Sequence, residues 1–222
     1  MKATILFSMI SFAAVLTGCT SVDVDQIRME ETSIDPNNDA VVILGRRHSP
    51  EYETESSLIN CIGNKIGSSI RGLNVLDEEE FQDALYPWFE PRTSPLNMEN
   101  FIRMLDQPMV AEQLESRNVK YIIWIEGSTE KINSIGSMSC AIVAGGGGCF
   151  GFGSWEDQSK YEASIWDFSE TKEVGRITTD AQGTSYMPAV VIPVPLLARV
   201  QSNACEGMGR QLSSFLQPGE AG

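Results

Sequence analysis

Apolar positions along this chain follow two periods. In "SSLINCIGNKIGSSI", Leu58, Ile62, Ile66 and Ile70 recur every fourth residue, which predicts an amphipathic helix. Glu51, Glu53 and Glu55 precede it and suit the positive end of a helix dipole. "DAVVILGRR", 39–47, is dense in β-branched residues and predicts a first strand. Leu73 to Leu76 predicts a short strand, after which Asp77 and Glu80 have the spacing of a capping box opening a helix that Pro87 ends. "NMENFIRMLDQPMVAEQLESRNV" reads as a broken pair of helices, with Pro108 in the first turn of the second. "VKYIIWIEGSTEKI" is apolar on both faces, the mark of a central strand.

"SKYEASIWDFSETKEVGRITTDAQGTS" predicts strand, turn at Ser169–Thr171, strand. Three prolines in "MPAVVIPVPLL" exclude a long inner strand there. From Leu196 to Phe215 the pattern is helical, with Leu197, Val200, Ala204, Met208 and Phe215 on one side. The order of elements predicts an α+β fold: a mixed sheet of three to five strands with packed helices and one long hairpin.

The amino terminus changes the frame. Lys2 precedes an apolar stretch, Ala3 to Leu16, too short to span a bilayer. Leu16-Thr17-Gly18-Cys19 resembles the lipobox of bacterial lipoproteins. That resemblance implies cleavage before Cys19 and acylation of that cysteine with palmitate-type chains, enough to hold a protein firmly in a membrane. Thr20 rather than Asp after the cysteine implies, by the same resemblance, the outer membrane, with the folded part facing the periplasm. Residues 1–18 are then a signal peptide, 19–38 a polar, acidic, flexible tether, 39–217 a single periplasmic domain and 218–222 a tail.

Charge narrows the partners. The formal net charge is −14 and no Lys/Arg cluster stands out, which argues against nucleic acid. With Cys19 assigned to lipid, Cys61, Cys140, Cys149 and Cys205 remain, an even number that reads as two disulfides in an oxidising compartment. Cys140 and Cys149 flank four consecutive glycines, and Cys61 and Cys205 fall in the first and last predicted helices. The expected pairs are Cys140–Cys149 and Cys61–Cys205. The glycine-rich stretch "SMSCAIVAGGGGCFGFGSW" is not a phosphate loop, because no Lys lies between Ile132 and Gln158. It lacks zinc-site spacing, and His48 is the only histidine. No metal and no cofactor are expected.

Further resemblances follow. The early strand-helix-strand, then "YIIWIEGSTE" and "YEASIWDFSETKEVG", with Asp167, Thr171, Lys172, Glu173, Val174 and Gly175 at the turn, is similar in fold to curli-secretion-type lipoprotein domains. It is also similar to the amino-terminal domain of the Tol-Pal translocation protein. With "YPWFEP" and the Cys-Gly-rich-Cys hairpin, the mature chain resembles Gram-negative outer-membrane lipoproteins of uncharacterised activity.

Catalytic constellations are thin. There is no Gly-x-Ser-x-Gly pentapeptide. His48 lies in "GRRHSPE", and the carboxylates Glu78, Glu80, Glu156, Asp157 and Asp167 are scattered among 30 acidic residues. A periplasmic hydrolase built on these is the alternative reading. The preferred one is a non-enzymatic binding or scaffolding lipoprotein whose partner is an envelope protein or cell-wall glycan. Its candidate contact residues are Trp88, Phe89, Phe150, Phe152 and Trp155, large apolar groups in or beside expected loops.

Overall fold

The computed structural model describes residues 20–46, 53–90, 93–143, 146–193 and 195–217. Cys19, the lipobox and His48 lie outside the described residues. The elements run β1 (Thr20–Arg28), β2 (Ala40–Gly45), α1 (Ser56–Ser69), β3 (Asn74–Leu76), α2 (Glu78–Ala84), α3 (Met98–Leu105), α4 (Pro108–Ser116), β4 (Val119–Val143), β5 (Gly146–Asp167), β6 (Lys172–Val191) and α5 (Val200–Leu216). They form one mixed sheet in the order β1-β6-β5-β4-β2-β3, an α+β fold. Strand β2 pairs in parallel with both β3 and β4, Val42 opposite Ile122 and Leu44 opposite Trp124. Strand β4 is central, as its two apolar faces require.

The sheet has six strands, more than the three to five expected, because the segment expected as a flexible tether opens with β1. In "TSVDVDQIR", Thr20, Val22 and Val24 are half-buried while Ser21, Asp23 and Asp25 are exposed. That is the period of a strand with one covered face. The acidic residues on the open face hid this alternation. Val22 and Val24 lie against Gly207 of α5.

The chain divides into two compact units, where the sequence predicted a single domain. Residues 22–128, 159–180 and 201–222 belong to an α/β unit, and the β unit takes residues 129–158 and 181–200 together with the described start of the chain. In the α/β unit the sheet is covered on both faces. Alternate residues of the parallel strands enter opposite layers. Val42, Leu44, Ile122 and Trp124 join Phe81, Phe101, Val110 and Leu114 of α2–α4 in one buried cluster. On the other face, Ile59 of α1 lies against Gly45, and Phe215 of α5 against Gly175. A side chain at Gly175 would collide with the Phe215 ring, which accounts for a glycine four residues beyond the Phe168–Thr171 turn.

Local signals act as their chemistry dictates. The Asp77 carboxylate accepts from the Glu79 and Glu80 amides at 3.0 and 3.1 Å, and Asn97 caps α3 by accepting from the Asn100 amide. Pro108 occupies the start of α4. Helix α5 begins at Val200, leaving Leu197 outside it and 60% exposed. The other four residues of its expected stripe, Val200, Ala204, Met208 and Phe215, are buried.

Cys61 and Cys205 are joined, Cα atoms 6.2 Å apart and 144 residues apart in sequence. The bond ties α1 to α5 beneath the same sheet face. Closing a loop of that length stabilises a chain by about 5 kcal/mol on the chain-entropy model. The double replacement Cys61→Ala/Cys205→Ala is expected to lower unfolding stability by about 2–5 kcal/mol, measured by urea denaturation of the oxidised protein. A loss under about 0.5 kcal/mol would show that helix packing alone holds the two together.

Candidate contact surface

The β unit is built from the outer parts of β4, β5 and β6. Cys140 of β4 and Cys149 of β5 are bonded across the hairpin, Cα atoms 4.0 Å apart, so the end of the glycine-rich hairpin is covalently closed. Two glycines beside that bond are fixed by their conformation. Gly136 and Gly151 hold φ of +119° and +149°, a region that side chains avoid. A Cβ on Gly136 would strike the Phe152 carbonyl oxygen, and one on Gly151 the Ser137 carbonyl oxygen. Each glycine lets the backbone of the partner strand approach where a side chain would part the ladder.

The candidate aromatics separate into two groups. Trp88 and Phe89 are half-buried and pack on the α2–α4 cluster. The Phe89 ring stands 6.1 Å from those of Phe81 and Phe101. They sit at the core periphery of the α/β unit, partly buried against that cluster. Phe150 and Phe152 are 63% and 50% exposed on β5. Phe152 is paired with Tyr186 of β6, centroids 6.1 Å apart, and Trp155 lies under the Lys131 ammonium at 5.3 Å. Hence three of the five share the β unit. Ile135, Ile142, Val190 and Ile192 are exposed there too. The sequence reading missed these four, because an Ile or Val in a strand gives no local sign of whether another element covers it.

Glu78 is buried and accepts from the Gly45 amide at 2.7 Å and the Gln82 side chain. Asp167 accepts from the Ser169 hydroxyl and the Glu170 amide, shaping the β5–β6 turn. Glu80 is exposed in the first turn of α2, and Glu156 and Asp157 are half-exposed neighbours on β5.

Two concave places in the α/β unit escaped the sequence reading. A groove of about 670 Å³ runs between α1 and β3, lined by Asn60, Gly63, Asn64, Val75 and Glu78. A second, of about 560 Å³, is lined by Arg46, Glu126, Lys160, Glu162 and Asp180. Its charges are paired: Arg46 with Glu126 at 3.5 Å, Lys160 with Asp180 at 3.7 Å, and Arg176 nearby with Glu162 at 2.9 Å. The hydrogen bond from Arg176 to Glu173 raises the Arg176 pKa further above its already high value. Among the described residues no group of three His, Cys, Asp or Glu is placed to hold a metal ion, and no helix is long and apolar enough to cross a membrane.

If Gly136 sets the hairpin and Phe152 only lines it, the two should respond differently to substitution. Gly136→Ala is expected to cost about 1–3 kcal/mol of stability, while Phe152→Ser costs less than about 1 kcal/mol. Thermal unfolding of both variants tests this, and equal losses would place Phe152 in a packed core.

No family model matches the chain, and no curated protein matches it. Among solved structures it is similar to the PelC dodecamer from Paraburkholderia phytofirmans, with a TM-score of 0.44 and 11% identity over 90% of this chain and all of that one. A single-residue variant of that dodecamer, in another crystal form, gives the same TM-score at 12% identity.

Proposed function

We propose that this chain is a lipid-anchored protein of the outer membrane that acts by binding rather than by catalysis, with the β unit as its contact surface. The observation that carries the reading is the uncovered apolar surface of a covalently closed hairpin. Phe150, Phe152, Ile135 and Ile142 are exposed within one unit, and a disulfide and two conformationally fixed glycines hold the backbone that presents them. Exposed apolar side chains gathered on a rigid element mark interaction sites. The lipobox at Leu16–Cys19 supports the anchor. So does its spacing, since the ordered sheet begins at Thr20. A chain anchored there holds its sheet close to the membrane, with no long tether between.

Two measurements in intact cells test this. Metabolic labelling with an alkyne palmitate analogue should mark the protein, and Cys19→Ser should abolish the label. An unlabelled wild type would remove the anchor. A photo-crosslinking phenylalanine at Phe150 should capture an envelope component, whereas the same group at Met109, exposed on α4 of the α/β unit, should capture little. Equal capture at both positions would remove the β unit as the contact surface.

A further inference from the structure

The distribution of charge within the β unit identifies what it touches. Charged residues make up 21% of the chain. From Ile132 to Trp155, and again from Ala181 to Ala198, there is no Asp, Glu, Lys, Arg or His. Those two stretches supply most of the described β unit, whose charged residues, Glu130, Lys131, Glu156, Asp157 and Arg199, flank them. Within them Ile142 is 93% exposed, and Val190 and Ile192 are each 73% exposed.

We infer that this charge-free surface contacts the acyl region of a lipid bilayer. A protein partner would be met by an apolar centre ringed by charge, and here those five charges stand only at the ends of the two stretches. The most exposed large side chains, Ile142, Val190 and Ile192, are aliphatic and offer carbohydrate neither a hydrogen bond nor an aromatic face. Hydrocarbon needs neither rim nor donors, and excludes charge.

The start of the chain points the same way. Thr20 stands beside Gly183, its hydroxyl 3.1 Å from where a Cβ would sit, and both belong to the β unit. An acyl group on the residue before Thr20 therefore brings the membrane to this unit.

The backbone limits the depth. Strand β2 pairs with β4 only over Val119–Ile125. Among the described residues no strand adjoins the other edge of β4 from Thr129 to Val143. Unpaired amides and carbonyls are costly in hydrocarbon. One copy of the unit thus inserts apolar side chains such as Ile142 and Phe150 into the leaflet without spanning it. The net charge of −14 makes zwitterionic lipid the preferred surface over anionic lipid.

This inference rests on the reading of the β unit as the contact surface; acylation supports it, and the test removes that support so that the surface is read alone. The test uses the full mature chain, secreted behind an ordinary cleaved signal peptide and carrying Cys19→Ser. It should float with phosphatidylcholine vesicles. Ile142→Asp/Phe150→Asp should reduce the bound fraction about tenfold or more. Adding phosphatidylserine at low salt should weaken binding. Circular dichroism and non-reducing peptide mapping establish that the variants fold with both disulfides. A second readout needs no disruptive change: Phe150→Trp should gain fluorescence that brominated lipids quench, beyond any quenching in the wild type. Flotation without palmitate labelling would leave this inference standing and remove the anchor. A protein that stays unbound at every lipid composition, or a Phe150→Trp emission that brominated lipid leaves unchanged, would overturn the inference. In that case capture of a protein or glycan at Phe150 would still uphold the contact surface.

Discussion

Strand β4 carries 25 residues through two kinds of surroundings, and the rest of the molecule is arranged around that constraint. Over Val119–Ile125 it lies between β2 and β5, buried on both faces. Tyr121, Ile122, Ile123, Trp124 and Ile125 are all at most 3% exposed. Beyond Glu126 most residues are exposed. The change comes at Gly127, whose φ is +129° and where a Cβ would strike the Lys160 carbonyl oxygen. The Thr54 hydroxyl lies 3.1 Å from the Ile125 carbonyl and 3.2 Å from that of Gly127, bridging the same point from the loop before α1. The single hydroxyl proton serves one carbonyl at a time, and the Ile125 carbonyl also accepts from the Arg46 amide at 3.0 Å.

What holds each part follows from what covers it. The α/β unit has two helical layers to bury its sheet, and its long-range disulfide joins two elements that already pack. The β unit has no helix of that kind on the hairpin, so apolar burial supplies less. Its stability has to come from backbone pairing, from the Cys140–Cys149 bond closing a nine-residue separation, and from ring contacts such as Phe152 with Tyr186. That division leaves apolar side chains such as Ile142 and Phe150 facing outward. Such side chains are free to act on something else.

Much of the α/β unit was legible in the sequence because its elements announce themselves locally. The four-residue spacing of Leu58, Ile62 and Ile66, the cap at Asp77 and the proline opening α4 each act through neighbours in the chain. Both disulfides were legible from parity and compartment. Strand β1 was not, because Asp23 and Asp25 on its open face look like linker composition until Val22 and Val24 find α5. The roles of Trp88 and Phe89 were hidden for a related reason: a proline-bounded loop can fold onto a core formed by residues far away in sequence. The contact surface was half legible. The aromatics drew attention, but their fate depended on whether any element covers β4–β6, which no local pattern states.

The central claim is that the charge-free hairpin of the β unit enters lipid while the α/β unit does not. Hydrogen exchange of the acylated full chain, in phosphatidylcholine vesicles and in detergent-free soluble form without acyl groups, reads this residue by residue. The account predicts slower exchange on vesicles over 137–143 and 146–152, with the amides of α3 and α4 unchanged. Equal exchange of the hairpin in both states, or protection centred on α3 and α4, would contradict it.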